Sequence, residues 1–404
     1  MPSLLWVNHF AVTLETGGAT RHFEMGRELT KLGWDVTIAA SDFDLQTRRY
    51  TRRKGPDDRR TLDEVIDGVR MRWVWASPYR GNNWRRAVNW LTFAHGLGGL
   101  TDLESTDVVI GSSPHLFAAL AAQRLARRWH APFVFEVRDL WPESMTAAGG
   151  RAGLIYHAFG RIARHLYATA DHIIVLARGS ATHIAARGVP SQNISFIPNG
   201  VDVAAFAVDR DTRSSLRLIY TGAHGPANGL TAILDAAERL RDHTEISWLL
   251  IGDGPAKPDL ITAARQRGLT SIEFRDPVPK HAMPALLAEV DAGLMVLRET
   301  PLFRYGVSPN KLFDYMGAAL PVACNVGGDV ADMLHDAGAG EQATDGSGAA
   351  LADAVLRLMS RSATERSAMG TSGQRWVTQH HNRSLLAGQL DVLLRSVSKA
   401  HAVA

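Results

Sequence analysis

Leu216-Arg217-Leu218-Ile219-Tyr220-Thr221-Gly222-Ala223-His224-Gly225 decides the fold. The first six residues form an apolar run of strand length, and a glycine-bracketed turn follows before helical apolar spacing begins at Leu230. The stretch restarts a pattern already used up upstream. There, strand-like runs read Leu4–Asn8, Asp35–Ala40, Val69–Ala76, Val108–Gly111, Phe133–Val137, His172–Leu176 and Ile194–Pro198, with helical spacing over Ala19–Leu32 and His115–Trp129 between them. Downstream, Trp248–Ile251, Ile272–Phe274, Gly293–Val296 and Pro321–Ala323 repeat the alternation. Short apolar runs alternating with helices predict parallel sheets covered by helices. The polar stretch Asn199–Asp211 marks the boundary between two such domains, and the tail from Asn382 repeats leucine at helical spacing.

A chain of 404 residues with 46% apolar and 21% charged residues suits two globular domains. No apolar stretch is long enough to cross a bilayer, and Met1 runs into a strand without the pattern of a signal peptide. A lone cysteine, Cys324, lies in an apolar run and reads as a core residue suited to a reducing cytosol. The net charge is +3, but Arg48, Arg49, Arg52, Arg53, Lys54, Arg59 and Arg60 crowd one segment. Tryptophans Trp73, Trp75, Trp84 and Trp90 follow it. Three readings stand: a solvated basic loop, a face for an anionic membrane, or nucleic-acid binding, the last without any supporting motif.

Ligands of open parallel sheets bind beyond the carboxyl ends of the strands, so the residues after each strand carry the chemistry. After the first strand, Gly17 and Gly18 permit close backbone approach to a ligand or simply a tight turn. Phe133–Val137 ends in charged groups, Glu136, Arg138 and Asp139, which are costly to place there unless paired or used. In the second half Gly222, then Gly252 and Gly254 with Lys257 about one turn into a helix, occupy equivalent positions. Ser308-Pro309-Asn310-Lys311 reads as a helix start with Ser308 as N-cap and Pro309 as first residue. Its free N–H groups and Lys311 suit a diphosphate, and Asp314 suits ribose hydroxyls. The alternative is a capped surface helix with a Lys311–Asp314 ion pair.

Taken together, Glu15-Thr16-Gly17-Gly18, the segment Glu136–Ser144, Pro198–Asp202, Gly252–Lys257 and Ser308–Met316 resemble the retaining glycosyltransferases of family 4. The nearest subgroup builds bacterial cell-surface polysaccharides and includes aminosugar transferases. The resemblance departs from the family at several positions. Gly306 and Asp314 stand where two glutamates are common, Arg138-Asp139 where a histidine and an aspartate are common, and Ala223 and Asn228 where an arginine and a lysine are usual.

The resemblance implies an α/β GT-B fold: two Rossmann-like domains facing each other across a cleft, with a C-terminal helix returning to the first. Residues 1–200 with helix 382–404 would bind the acceptor, and residues 201–381 the nucleotide sugar. Asp139, Glu136 and Arg138 are the candidate catalytic residues. Gly17, Gly18, Gly222, Gly252, Gly254, Lys257, Arg304, Ser308, Asn310, Lys311 and Asp314 are the candidates for holding the donor. The implied reaction moves a sugar, with an N-acetylated aminosugar in view, from a nucleotide donor (UDP first) to a glycan or lipid-diphosphate acceptor, with retention. No cofactor or metal is expected. The implied location is cytoplasmic, with peripheral attachment to the inner face of the membrane. A sugar-nucleotide-binding protein without catalysis, or an epimerase or phosphorylase of the same fold, is the alternative.

Overall fold

The computed structural model describes residues 1–15, 18, 20–45, 47–81, 83–103, 105–147, 153–206, 215–300 and 306–403. The chain divides into two compact units, one ending at Pro198 and resuming at Arg383, the other Asn199–Asn382.

The first unit is built on β1 (Ser3–Val7), β2 (Asp35–Ala40), β3 (Leu62–Ile66), β4 (Val69–Trp73), β5 (Val108–Ser112), β6 (Phe133–Val137), β7 (His172–Val175) and β8 (Ile194–Phe196). The order is β3-β4-β2-β1-β5-β6-β7-β8. Every pairing is parallel except that of β3 with β4. The central strands are buried along nearly their whole length, as helices on both faces require, and so read as continuous apolar runs. β3 is different: its exposure alternates and it carries Asp63 and Glu64. Asp67 and Gly68, both at positive φ (48° and 81°), make the tight hairpin to β4.

The second unit is built on β9 (Leu216–Thr221), β10 (Ile246–Ile251), β11 (Ile272–Arg275), β12 (Ala292–Met295), β13 (Val322–Cys324) and β14 (Gly340–Gln342). They are all parallel, in the order β11-β10-β9-β12-β13-β14. In each sheet the succession of strands reverses at the first strand, between β1 and β5 and between β9 and β12. Those switch points open the crevices in which such sheets bind ligands.

The C-terminal helix Arg383–Val403 belongs to the first unit. Leu386, Leu390 and Leu394 enter that unit's core, Arg383 pairs with Glu24 at 3.0 Å, and Asp391 accepts the Trp34 indole N–H at 2.6 Å. Cys324 is fully buried, and burial pushes its thiol up to about 12, so it is unreactive as read from sequence.

The basic segment is part anchored and part solvated: Arg49, Lys54, Arg59 and Arg60 are exposed, whereas Arg48, Arg52 and Arg53 are drawn into the fold. The Arg53 side chain is wholly buried, with Nε donating to Asp42 at 2.7 Å and the other nitrogens to the carbonyls of Asp58, Arg60 and Trp73. Arg52 pairs with Glu64, Arg60 pairs with Asp58, and Arg48 and Arg59 cover the rings of Tyr79 and Trp75. Trp73 is core. The arginines bind the segment to β3 and β4, which the sequence reading, lacking β3, could not supply.

Candidate active site

At the switch point of the first unit, the helix Arg21–Lys31 begins against the ends of β5 and β6. Its first two side chains meet Glu136, which is fully buried. Arg21 Nε donates to Glu136 Oε1 at 2.9 Å. Ser112 Oγ and His22 Nε2 donate to Oε2 at 2.7 and 3.0 Å. Arg21 also donates to the carbonyl of Ile197 at 2.9 Å. Burial pushes the Glu136 carboxyl up, but Arg21 and His22 outweigh it and hold the group well below the carboxylate range. His22 stays neutral because burial lowers it to about 4 despite that carboxylate. Glu136 therefore ties helix to sheet, and the catalytic role assigned to it from sequence is corrected: both oxygens are taken and neither reaches solvent.

Asp139 is exposed, and its N–H and that of Arg138 both donate to Ser113 Oγ, at 3.1 and 2.9 Å. One hydroxyl so fixes the turn after β6. Burial of its surroundings raises the Asp139 carboxyl, with Arg138 opposing. Of the three charged residues after β6, Asp139 is the carboxylate presented outward.

Two histidines after β1 and β5 were not singled out from sequence. The Ala118 N–H donates to His115 Nδ1 at 3.1 Å, so neutral His115 carries its proton on Nε2. That proton points at His9 Nδ1, 2.6 Å away, which leaves the His9 proton on Nε2. His9 Nε2 is buried without a partner, as are the indole N–H groups of Trp90 and Trp141. The His9 ring lies between Phe10 and Phe93, with centroids at 4.5 and 4.1 Å, and Trp90 stacks on His115 at 5.3 Å. Burial lowers His115 to about 3 and pushes His9 well below its ordinary value. The result is a rigid aromatic wall with oriented N–H donors. The available signal was position, two residues past β1 and three past β5.

In the second unit the glycines act on each other. A Cβ on Gly252 would lie 1.8 Å from the Gly222 carbonyl oxygen, and one on Gly254 2.6 Å from that of His224. The loops after β9 and β10 interlock there, with His224 N–H donating to Asp253 O at 2.8 Å and Ala256 N–H to His224 O at 2.9 Å. Gly222 also leaves room for Lys311, whose Nζ would be 3.2 Å from a Cβ there. The His224 side chain is fully buried, both its ring nitrogens lack partners, and burial, helped by Lys257 and Lys311, lowers it to about 4.

Three helix-start expectations change. Ser308 is no N-cap: its Oγ accepts the Asn199 N–H at 2.9 Å, and its carbonyl the Asn199 amide at 2.6 Å. The helix is Asn310–Gly317, with Pro309 at the cap position and no side chain capping its N–H groups. Asp314 pairs with Lys280, at 2.5 and 2.6 Å, and not with Lys311. Lys257 is the first residue of the helix Lys257–Gln266, and its ammonium is committed to Asp276 at 2.8 Å and Arg275 O at 3.0 Å. Among the described residues, Lys311 Nζ hydrogen-bonds the Tyr220 hydroxyl alone, at 2.7 Å, and lies 3.9 Å from that ring's centroid. Burial lowers the Lys311 ammonium to about 7. Tyr315 pins this helix to the end of β9 by accepting the Thr221 N–H at 2.8 Å. Gly18 is described, at φ 145° against Val12, while Gly17 and Arg304 lie outside the described residues.

Among the described residues no group of three or more His, Cys, Asp or Glu is gathered as metal ligands would be. Nor is any helix long and apolar enough to cross a membrane.

Comparison with known proteins agrees with this architecture. Residues 16–200 match the glycosyl transferase 4-like domain, and residues 215–361 match the glycosyl transferases group 1 domain. The putative colanic acid biosynthesis glycosyl transferase WcaI of Escherichia coli (strain K12) is 31% identical over 209 residues, 47% of this chain and 50% of that protein. The match thus spans about half the length of that relative. Among solved structures, sucrose-phosphate synthase from Thermosynechococcus elongatus superposes with a TM-score of 0.77 at 14% identity, covering 99% of this chain and 100% of that one. HepE from Anabaena, in complex with UDP and glucose, superposes with a TM-score of 0.70 at 14% identity, covering 98% and 100%. With both domains present in order on two largely parallel sheets, the chain belongs to the family-4 type of glycosyltransferase and has the GT-B fold.

Proposed function

We propose that the protein transfers a sugar, with retention, from a nucleoside-diphosphate donor to a glycan or lipid-diphosphate acceptor in the assembly of a surface polysaccharide. The observation that carries the donor half is Lys311, a half-buried ammonium with, among the described residues, one neutral hydrogen-bond partner at the carboxyl end of β9. It adjoins a helix start without a side-chain cap. A diphosphate supplies the charge this ammonium lacks and accepts from the free N–H groups. As the donor bond breaks, negative charge grows on the departing phosphate oxygens, and prearranged donors stabilise it. Asp314, oriented by Lys280, keeps lone pairs for ribose hydroxyls. In the first unit Asp139 and the N–H groups of His9, Trp90 and Trp141 face the acceptor or the transferred sugar. Aromatic rings with aimed donors suit a sugar ring, which offers C–H faces and hydroxyl rims. UDP is the first nucleotide to test because HepE was solved with it, and an N-acetylated aminosugar is the first donor sugar.

Calorimetry with UDP-, GDP-, dTDP- and ADP-sugars tests the donor half. Turnover on lipid-diphosphate glycans, read by the anomeric signal of the product, tests the transfer and its stereochemistry. Activity persisting in EDTA is the expected result. Failure of every nucleotide sugar to bind, or an inverted product, refutes the corresponding part.

A further inference from the structure

We infer that the first unit docks on an anionic lipid surface through the layer formed by the helices Trp84–Leu97, Leu116–Arg128 and Leu154–Thr169. None of the three contains an aspartate or glutamate, and together they carry Arg85, Arg86, Arg124, Arg127, Arg128, Arg161 and Arg164. Ring contacts make them one layer: Trp90 and Phe117 both meet Phe159, with centroids at 6.5 and 5.5 Å. Arg85, Arg124, Arg127, Arg161 and Arg164 are exposed.

The same helices leave large apolar side chains in solvent: Trp84 at 70%, Leu91 at 50%, Leu154 at 91% and Ile155 at 65% exposure. They account for four of the ten large apolar side chains exposed in this way among the described residues. Helices between parallel strands run back along the sheet, so their N-termini lie at the strands' carboxyl ends. Trp84, Leu154 and Ile155 therefore stand on the edge of the sheet that holds His9, Ser113 and Asp139. Cations without acids select an anionic partner, and apolar anchors among them select lipid over nucleic acid, whose phosphates give leucine and isoleucine nothing to enter. The surface lies elsewhere than the Arg48–Arg60 run, where Arg52, Arg53 and Arg60 are paired with Glu64, Asp42 and Asp58 while Arg49 and Lys54 are exposed. The inference builds on the lipid-linked acceptor reading above, since a soluble unit must meet such an acceptor at its membrane. It is tested without turnover.

The experiment is co-sedimentation of the full chain with vesicles of phosphatidylcholine alone and of phosphatidylcholine with phosphatidylglycerol, at low and high salt. Binding is expected only to the anionic vesicles and weakens with salt. Each basic residue near anionic lipid contributes about fivefold, so Arg124→Glu, Arg161→Glu and Arg164→Glu together lower binding by at least about a hundredfold. Leu154→Ser with Ile155→Ser removes the part of the binding that survives salt. Arg49→Glu with Lys54→Glu leaves it unchanged. Nucleotide-sugar calorimetry and the melting curve verify that each variant is folded. Absence of binding by the unaltered protein overturns the inference. So does loss of binding in the Arg49/Lys54 variant but not the helix variant, or a duplex-DNA shift that needs the arginines while the apolar substitutions change nothing. Because these vesicles carry no acceptor, failure of transfer to lipid-linked glycans leaves vesicle binding intact and refutes only the acceptor reading.

Discussion

Replacing Lys311 by methionine separates stability from binding. Burial lowers its pKa from 10.5 to about 7. A shift of that size corresponds to about 5 kcal/mol against the charged form in the folded state. The side chain is only partly shielded, so we take about half, on the order of 2–3 kcal/mol. The sign follows from proton counts. Between about pH 7 and 10.5 the unfolded chain holds a proton on this lysine that the folded chain does not, so stability rises with pH across that window. Below about pH 7 both forms are charged and the full cost is present. Methionine keeps the stem and never charges. Lys311→Met should therefore be more stable than the unaltered protein at neutral pH, and the gain should vanish by about pH 10. Binding should move the other way: loss of a charge-assisted contact worth about 1.5–3 kcal/mol weakens UDP by about 10- to 150-fold. In the unaltered protein, binding a diphosphate at about pH 8 should take up close to one proton. Denaturant unfolding across pH, with calorimetry in buffers of different ionisation heat, reads all three. A variant less stable at neutral pH, with unchanged UDP affinity and no proton uptake, would show that Lys311 is a structural hydrogen-bond donor to Tyr220.

Glu136→Gln should destabilise the first unit by about 3–5 kcal/mol, because Arg21 stays buried without its counter-charge; a normal melting curve with lost turnover would restore a direct catalytic role. Acid should act early. His22, His115 and His224 are held near 4, 3 and 4, so below about pH 6.5 the unfolded chain binds protons that the folded one refuses. Stability therefore falls with pH, by about 1 kcal/mol per histidine between pH 7 and 5.5; a flat profile in urea titrations over that range would mean these histidines protonate in place. Gly252→Ala forces a methyl against the Gly222 carbonyl oxygen, a separation of 1.8 Å. It should destabilise the second unit and lower donor affinity as the β9 loop shifts; unchanged stability would show that the interlock is not needed.

What the sequence made legible follows what each residue's partner was. Fully buried parallel strands announce themselves as apolar runs, and so β1, β5, β6, β9 and β12 could be placed within a residue or two. β3 was missed because an edge strand facing solvent on one side mixes Asp63 and Glu64 into its pattern, although Asp67-Gly68 was a hairpin signal in plain view. The positions of candidate site residues were readable because they follow strands, but their roles were not, since a role depends on contacts distant in sequence. Glu136 meets a helix 115 residues earlier, Asp314 meets Lys280 34 residues earlier, and Ser308 holds Asn199. Spacing rules favoured the local pairs, Lys311 with Asp314 and Ser308 as a cap, and tertiary partners displaced both. That displacement frees Lys311. Had Asp314 neutralised it, the ammonium would need no ligand. Because Lys280 takes the carboxylate, a cation stands at the end of β9 with, among the described residues, only a phenol hydroxyl to meet it, which is why the proposed donor diphosphate is placed there.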